Sequence, residues 1–266
     1  MNSTGKTFLT DYLLHLADDA LILGHRNSEW CGHGPILEQD IALTNISLDL
    51  IGQARSLYQY AANILNESHP ARNVSEDTLA YLRDNREFKN CLLVEMPNGD
   101  WAHTILRQFF FSTYQFFLYE KLVGSVNDTI AAISAKAIKE VTYHLRWSGE
   151  WVIRLGDGTD ESKERLLKAF DMLWPFTGEL FHMVEYEIVA ADLGIGADLN
   201  LLRSKWDEKL KIVFQEAGIL SIIENKIKPG SNWMQSGGKI GKHSEHLGFI
   251  LAELQFMQRA YPNSEW

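Results

Sequence analysis

Cysteine is scarce in this sequence, and its scarcity excludes two classes of protein. Only Cys31 and Cys91 occur in 266 residues, which is too few for a disulfide framework or the usual zinc patterns. We therefore expect a cytoplasmic protein in a reducing compartment. The first residues, MNSTGKTFLTDYLLHLADD, have no apolar core followed by a small-residue cleavage site, so we predict no signal peptide.

Long apolar runs and an excess of basic residues are also missing. No apolar stretch approaches the roughly 20 residues that a membrane span needs. Lys and Arg number 25 against 35 Asp and Glu, which gives a net charge of −10. General binding to nucleic acid is unfavourable for such a chain, because neutralising phosphates takes a Lys and Arg excess. We expect no membrane and no nucleic-acid partner.

Long helical patterns dominate what remains. The sequence is 45% hydrophobic and has only six prolines, so breakers are few. Pro175 is expected to kink or break one helical pattern, and residues 221–242 are interpreted as a long loop. We predict one all-α domain over residues 1–266, a ferritin-like helical bundle of long antiparallel helices with additional shorter helices. The predicted helices cover residues 10–25, 35–66, 101–122, 128–155, 162–193, 199–217 and 243–261.

The helix predicted at 35–66 is apolar on most sides, so we expect protein to surround it. One apolar line contains Leu37, Ile41, Thr44, Leu48 and Ile51, and a second runs from Ile36 to Ala61. A narrow polar line lies between them. Buried carboxylates and amides are costly unless they pair or bind a ligand, so this line is the first candidate for chemistry. Its members are Glu38, Asn45, Asp49, Gln53 and Ser56.

Inward carboxylates on long helices favour a di-iron site, which needs two Glu and two Glu-x-x-His pairs. Only Glu179 and His182 have that spacing. Glu140 and His144 are four residues apart, and Asp49 is followed at the histidine position by Gly52. Because the ligand set is incomplete, we predict no metal site in this chain. The fallback ligands would be Glu140, His144, Glu179, His182 and Asp49. For Glu140 and His144 the alternative is a buried ion pair or hydrogen-bonded pair that holds helices in register. For Glu179 and His182 it is a solvated or lightly paired face, and for Asp49 and Gln53 it is a satisfied polar line between helices.

The run SGGKIGK at residues 236–242 is the most distinctive feature without a metal interpretation. Glycines let backbone N–H groups approach an anion, and Lys239 and Lys242 add positive charge. The alternative is a flexible surface loop. The next residues, His243 to His246, start the last helix, and Ser244 is the expected cap.

Four blocks of sequence carry a resemblance. They begin with SEWCGHGPILEQDIALTNISLDLIGQAR at 28–55 and continue at 76–110, 131–148 and 237–259. Over nearly its whole length the chain resembles the PaaC family, the structural components of bacterial 1,2-phenylacetyl-CoA epoxidases. The resemblance implies a ferritin-like fold and a structural role beside a similar subunit, PaaA, that holds the di-iron centre.

The resemblance also implies the partners and the reaction. A small B subunit and a reductase with flavin and iron–sulfur centres complete the system, which converts phenylacetyl-CoA to its ring-1,2-epoxide with O2 and NADPH in aerobic phenylacetate breakdown. This chain is then expected to hold no cofactor and no catalytic residue. Lys239 and Lys242 are candidates to contact a CoA phosphate or a partner subunit.

Two other functions stay open at this point. The chain could itself be a di-iron oxygenase or oxidase, built from the fallback ligands. It could also be a non-catalytic helical module that binds an acyl-CoA without catalytic partners.

Overall fold

The computed structural model describes residues 3–68, 73–227, 233–262 and 264, with side chains from residue 7 onward. These ranges are largely α-helical and contain no strand, which confirms the all-α prediction. None of the helices in them combines the length and hydropathy needed to span a membrane. The helices are α1 (Ser3–Ser28), α2 (Leu37–Ser68), α3 (Glu76–Tyr81), α4 (Leu92–Glu95), α5 (Trp101–Leu122), α6 (Asp128–Gly156), α7 (Asp160–Leu173), α8 (Glu185–Asp192), α9 (Leu199–Glu216), α10 (Leu220–Lys226), α11 (Glu245–Leu254) and α12 (Phe256–Ala260).

The chain divides into two compact units that its path enters and leaves more than once. Unit I contains α1 to α4, α8, α11 and α12. Unit II contains α5 to α7, α9 and α10. That residues 1–266 form a single ferritin-like domain stays a prediction.

In unit I, α1 and α2 form an antiparallel hairpin. Asp18 on α1 meets Tyr58 on α2, whereas Gly24, further along α1, lies against Leu50, nearer the start of α2. The apolar residues predicted on one face of α1, Leu13 among them, are buried. The buried side of α2 holds the second of its two predicted apolar lines, apart from Ile36, which is exposed.

The expectation that protein surrounds α2 is wrong. Four members of its first apolar line are exposed: Leu37, Ile41, Leu48 and Ile51. The polar line is not buried as a whole either, since Gln53 alone of its five residues is buried. Helical spacing shows which residues share a face, but it does not show how many faces the fold covers.

Unit II is built around the aromatic residues of α5. Phe110 packs against Phe170, Trp174 and Trp206, with ring centroids 5.7–6.2 Å apart. The Trp206 indole N–H also donates to the Phe110 carbonyl oxygen at 2.9 Å. The prediction that the α5 aromatics form core is confirmed for Phe109, Phe110 and Phe111, whereas Phe116 and Phe117 are half-buried.

Other boundaries differ from the sequence prediction for identifiable reasons. The break at Pro175 is confirmed, because α7 ends at Leu173 and two 3-10 turns, Trp174–Phe176 and Gly178–Phe181, follow. The loop predicted at 221–242 is wrong at its start, where α10 forms. Residues 228–232, including Pro229 and Gly230, lie outside the described ranges.

Trp206 offers a direct test of the unit II core. We expect Trp206→Ala to lower the free energy of unfolding by about 3–5 kcal/mol, because it empties a fully buried volume. Urea unfolding followed by circular dichroism measures the change. Trp233→Ala is the matched control, since Trp233 is largely exposed and its loss is expected to cost about 0.5 kcal/mol or less. If the two substitutions lowered the free energy of unfolding equally, the placement of Trp206 in the core of unit II would be contradicted.

Candidate functional site

The segment 237–244 of unit I carries two buried cationic side chains. Lys239 is 1% exposed and His243 is enclosed, whereas Lys242 between them is exposed. The interpretation of this run as a flexible surface loop is therefore wrong for Lys239. Contact of Lys239 or Lys242 with a CoA phosphate or a partner stays a prediction, and Lys242 is the one of the two at the surface.

Glycines let this segment press against the backbone of residues 86–92. A Cβ at Gly238 would lie 2.2 Å from the Asn90 carbonyl oxygen, and one at Gly241 would lie 2.3 Å from that of Arg86. Gly241 also has a φ of 77°, which side-chain-bearing residues rarely adopt. The glycines predicted to free N–H groups for an anion instead permit close packing.

Lys239 forms the central ion pair of the site. Its ammonium donates to both carboxylate oxygens of Glu187 on α8, with Nζ–Oε distances of 2.9 and 3.1 Å. Burial would raise the pKa of Glu187, but the Lys239 charge and the His15 imidazole outweigh it and bring that pKa to about 2. The Tyr186 hydroxyl donates to the Lys239 carbonyl oxygen at 2.9 Å, so the lysine is fixed at its backbone as well.

His15 and Asp19, one turn apart on α1, complete this cluster. His15 Nδ1 lies 2.8 Å from the Lys89 carbonyl oxygen, so that nitrogen donates. Nε2 faces Glu187 at 3.3 Å and Asp19 at 3.7 Å. Burial alone would lower the pKa of His15, but the Asp19 and Glu187 carboxylates raise it overall, which favours the imidazolium. Asp19 also accepts from the Cys91 N–H at 2.7 Å, and burial raises its pKa.

His243 and Glu95 form a second buried ion pair. His243 Nδ1 lies 2.9 Å from a Glu95 oxygen, and Nε2 lies 2.9 Å from the Phe88 carbonyl oxygen. Since both partners accept, we assign protons to both nitrogens. Burial would lower the pKa of His243, but the hydrogen bond to Glu95 and its charge raise it. Glu95 also accepts from Asn90 and from the Ser244 N–H.

A third buried pair joins α1 to the chain after α3. The Arg83 guanidinium donates to both oxygens of Asp18, which also accepts from the Tyr58 hydroxyl and the Lys89 N–H. Burial would lower the pKa of Arg83, but Asp18 raises it, so the charge is retained. The guanidinium lies 4.2 Å from the Phe88 ring centroid, within cation–π range.

Within each of these three clusters, cations and carboxylates of the chain neutralise one another. In the first, two cations face two carboxylates, and each of the others holds one pair. Pairing favours the charged form of Glu187, His15, His243 and Arg83, so the arrangement suits structural anchoring better than proton transfer. Sequence reasoning missed His15, Asp18, Asp19, Glu95 and Glu187, because most of their partners are 52 or more residues distant in the chain.

The one Glu-x-x-His match does not form a ligand pair. Glu179 lies in a 3-10 turn and is buried, whereas His182 ends that turn and is exposed. A spacing of three would place both residues on one face of an α-helix, but Pro175 interrupts the α-helix that would align them. The expected cap of the last helix is confirmed, since Ser244 accepts from the His246 N–H.

The other predicted ligands are dispersed between the units. Asp49 lies half-buried on α2 in unit I, and Glu140 and His144 lie on α6 in unit II. His144 is buried, but Glu140 is partly exposed, 4.0 Å from Lys136. The interpretation of Glu140 and His144 as a buried pair is therefore wrong for Glu140. Across the described ranges, no group of three His, Cys, Asp or Glu side chains is arranged to hold a metal ion, so these residues do not fit a di-iron centre.

Comparison with known proteins shows which family the chain belongs to. The family model for the phenylacetic acid catabolic proteins, which covers PaaA and PaaC, matches residues 1–266. The chain belongs to this family. A similar relative is the C subunit of the 1,2-phenylacetyl-CoA epoxidase of Escherichia coli (strain K12), 47% identical over 97% of this chain and 99% of the relative. In this member of the phenylacetic acid catabolic family, the best-formed polar site is the set of ion pairs in unit I.

The Lys239–Glu187 pair gives a thermodynamic test. Lys239→Met removes the lysine cation from buried Glu187, and Glu187→Gln removes the paired carboxylate from buried Lys239. We expect each to lower the free energy of unfolding by about 3–5 kcal/mol, and the double variant to cost less than the sum because the two groups are coupled. Urea unfolding at pH 7 measures this. Lys242→Met, at the exposed neighbour, is the control. If the double variant lost as much unfolding free energy as the two single variants together, the pairing would be contradicted.

The His243–Glu95 pair gives a pH test. The folded-state pKa of His243 is raised above 6.5, so its stabilisation is fully present below about pH 6.5 and is lost as pH rises through the raised pKa. We expect the excess unfolding free energy of the wild type over His243→Gln to be constant below pH 6.5 and to decline above it. Urea unfolding from pH 5.5 to 8.5 measures this difference. His182→Gln, at an exposed histidine, is the control, and a difference that does not change with pH would refute the ion pair.

Proposed function

We propose that this chain is a non-catalytic structural subunit of a multicomponent 1,2-phenylacetyl-CoA epoxidase. In this proposal, a separate PaaA-like subunit holds the di-iron centre, and this chain supports it. The complex converts phenylacetyl-CoA, O2 and NADPH to the ring-1,2-epoxide in aerobic phenylacetate catabolism. A small B subunit and a reductase with flavin and iron–sulfur centres are the other partners, and the chain itself carries no cofactor.

The similarity to the E. coli relative over nearly the full length of both chains supports this assignment. The observation that carries the structural role is the state of the buried charges in unit I. Glu187, Glu95 and Asp18 each bind a cation of the same chain. Carboxylates neutralised in this way hold segments together and are not positioned to bind an external ion or substrate.

The predicted ligand positions support the same role. Glu179 and His182 lie in different environments, one buried and one exposed. A metal pair needs its full donor set, because every missing ligand removes charge and coordination. Oxygen chemistry then belongs to the partner subunit, and this chain contributes the surface on which the partner folds or assembles.

Turnover by the reconstituted complex tests the proposal. We expect Asp49→Asn, Glu140→Gln and His182→Gln combined to leave kcat and iron per complex within about twofold of wild type, since none of these side chains is fully buried and all lie outside the reaction. Omitting the chain is expected to abolish or strongly reduce turnover, because the catalytic subunit loses its support. Phenylacetyl-CoA-dependent NADPH oxidation and iron analysis are the measurements.

Two results would favour the two alternative functions, a di-iron oxygenase and an acyl-CoA-binding module. About two irons bound by the purified chain alone, together with a tenfold or greater loss of kcat in an intact triple-variant complex, would favour a di-iron oxygenase. Full turnover of the catalytic subunit without this chain, with tight binding of phenylacetyl-CoA to the chain alone, would favour an acyl-CoA-binding module.

A further inference from the structure

The solvent-facing side of α2 carries an unusual apolar line. Leu37 is 70% exposed, Ile41 51%, Leu48 63% and Ile51 38%. Single exposed apolar residues are common on proteins, but contiguous ones mark surfaces that another molecule covers. These four lie on one face of one helix, so they form a continuous surface.

The spacing of this line specifies the shape of what covers it. With Thr44, the positions are 37, 41, 44, 48 and 51, which alternate steps of four and three. That alternation is the seam along which two α-helices pack side by side. The seam spans two heptads, about 21 Å of helix. We call these five residues the α2 seam. A helix is therefore the occupant that the spacing fits.

Gly52 adds an independent observation beside the seam. It lies in the middle of α2, four residues after Leu48, where glycine is less favourable than alanine. A Cβ at Gly52 would meet nothing within 4 Å, so packing inside this chain does not require glycine. A helix lying close against the seam would require a small residue there, as close helix packing generally does.

The flank of the seam bears on the identity of the partner. Glu38 and Asn45 are exposed and lie in one row with Gly52, seven residues apart. If two copies of this chain paired in parallel, Glu38 would face its own copy. In an antiparallel pairing centred on Thr44, Glu38 would be level with Leu50. Neither arrangement supplies a counter-charge, so a different chain with a basic residue opposite Glu38 fits better.

We propose that the α2 seam docks an apolar-faced α-helix of the catalytic partner subunit, with a Lys or Arg of that helix opposite Glu38. This rests on the proposed function, which supplies the partner. A stable interface of this kind concentrates its affinity in a few central apolar contacts. Thr44 is the middle of the seam, and Ile41 and Leu48 on either side of it are its central apolar contacts.

Matched substitutions test the proposal in the assembled complex. Leu48→Glu places a charge in the seam. Leu201→Glu makes the same change on α9 at a leucine that is 64% exposed. We expect Leu48→Glu to raise the Kd for the catalytic subunit at least tenfold and Leu201→Glu to change it less than threefold. The Tm of each variant chain alone is expected to match wild type. Gly52→Leu, whose Cβ would meet nothing within 4 Å in this chain, is expected to raise the Kd as well.

A photo-crosslinking amino acid at position 48 reports the contact directly. With p-benzoylphenylalanine at 48, we expect crosslinks to peptides from a helix of the catalytic subunit, and none from position 201. Mass spectrometry of the crosslinked complex identifies the peptides.

The binding measurements distinguish a failure of the docking surface from a failure of the proposed function. If wild-type chain assembles with the catalytic subunit and Leu48→Glu does so with the same Kd, the proposed function stands and the docking surface is wrong. If the seam variant instead abolishes a homodimer seen by analytical ultracentrifugation, the occupant is a second copy and this proposal is overturned. If the wild-type chain does not bind the catalytic subunit at all, the proposed function and the docking surface both fail.

Discussion

The buried pairing of Lys239 with Glu187 is the interaction on which unit I depends. It joins the segment after Gly237 to α8, and His15 and Asp19 extend it to α1. Two residues after Gly241, His243 makes the equivalent connection to Glu95. The segment after Gly237, α8 and α1 are far apart in sequence, and ion pairs hold them together. None of these charges could remain buried without its partner.

This constraint explains the glycines around the two cations. The segment must come within van der Waals distance of the Asn90 and Arg86 backbones to bury Lys239 and His243, and a Cβ at Gly238 or Gly241 would prevent it. The glycine-rich run at residues 236–242 resembles an anion-binding loop in the sequence. In the structure, its glycines allow the side chains of Lys239 and His243 to be buried. A lysine among glycines is therefore weak evidence for a phosphate site. The Lys239 ammonium is already bound by Glu187, and that distant partner cannot be recognised from the local sequence.

Local patterns predicted the helices well and their surroundings poorly. The bounds of α5 are those expected from its uninterrupted apolar run, and the break near Pro175 follows from the missing N–H. The exposed side of α2 and the burial of Lys239 could not be predicted in the same way. Both depend on contacts between residues distant in sequence, and helical periodicity contains no information about them.

The structure combines buried charges that are paired within unit I with an exposed apolar line on α2. We infer that cations of this chain, rather than a bound metal, neutralise the buried carboxylates of unit I, which are Asp18, Asp19, Glu95 and Glu187. The most direct measurement is the 15N NMR spectrum of the histidine rings at pH 6.5 with and without added Zn2+. We predict that His15 and His243 are doubly protonated and unchanged by the metal. Loss of either imidazolium signal on adding Zn2+ would contradict the account.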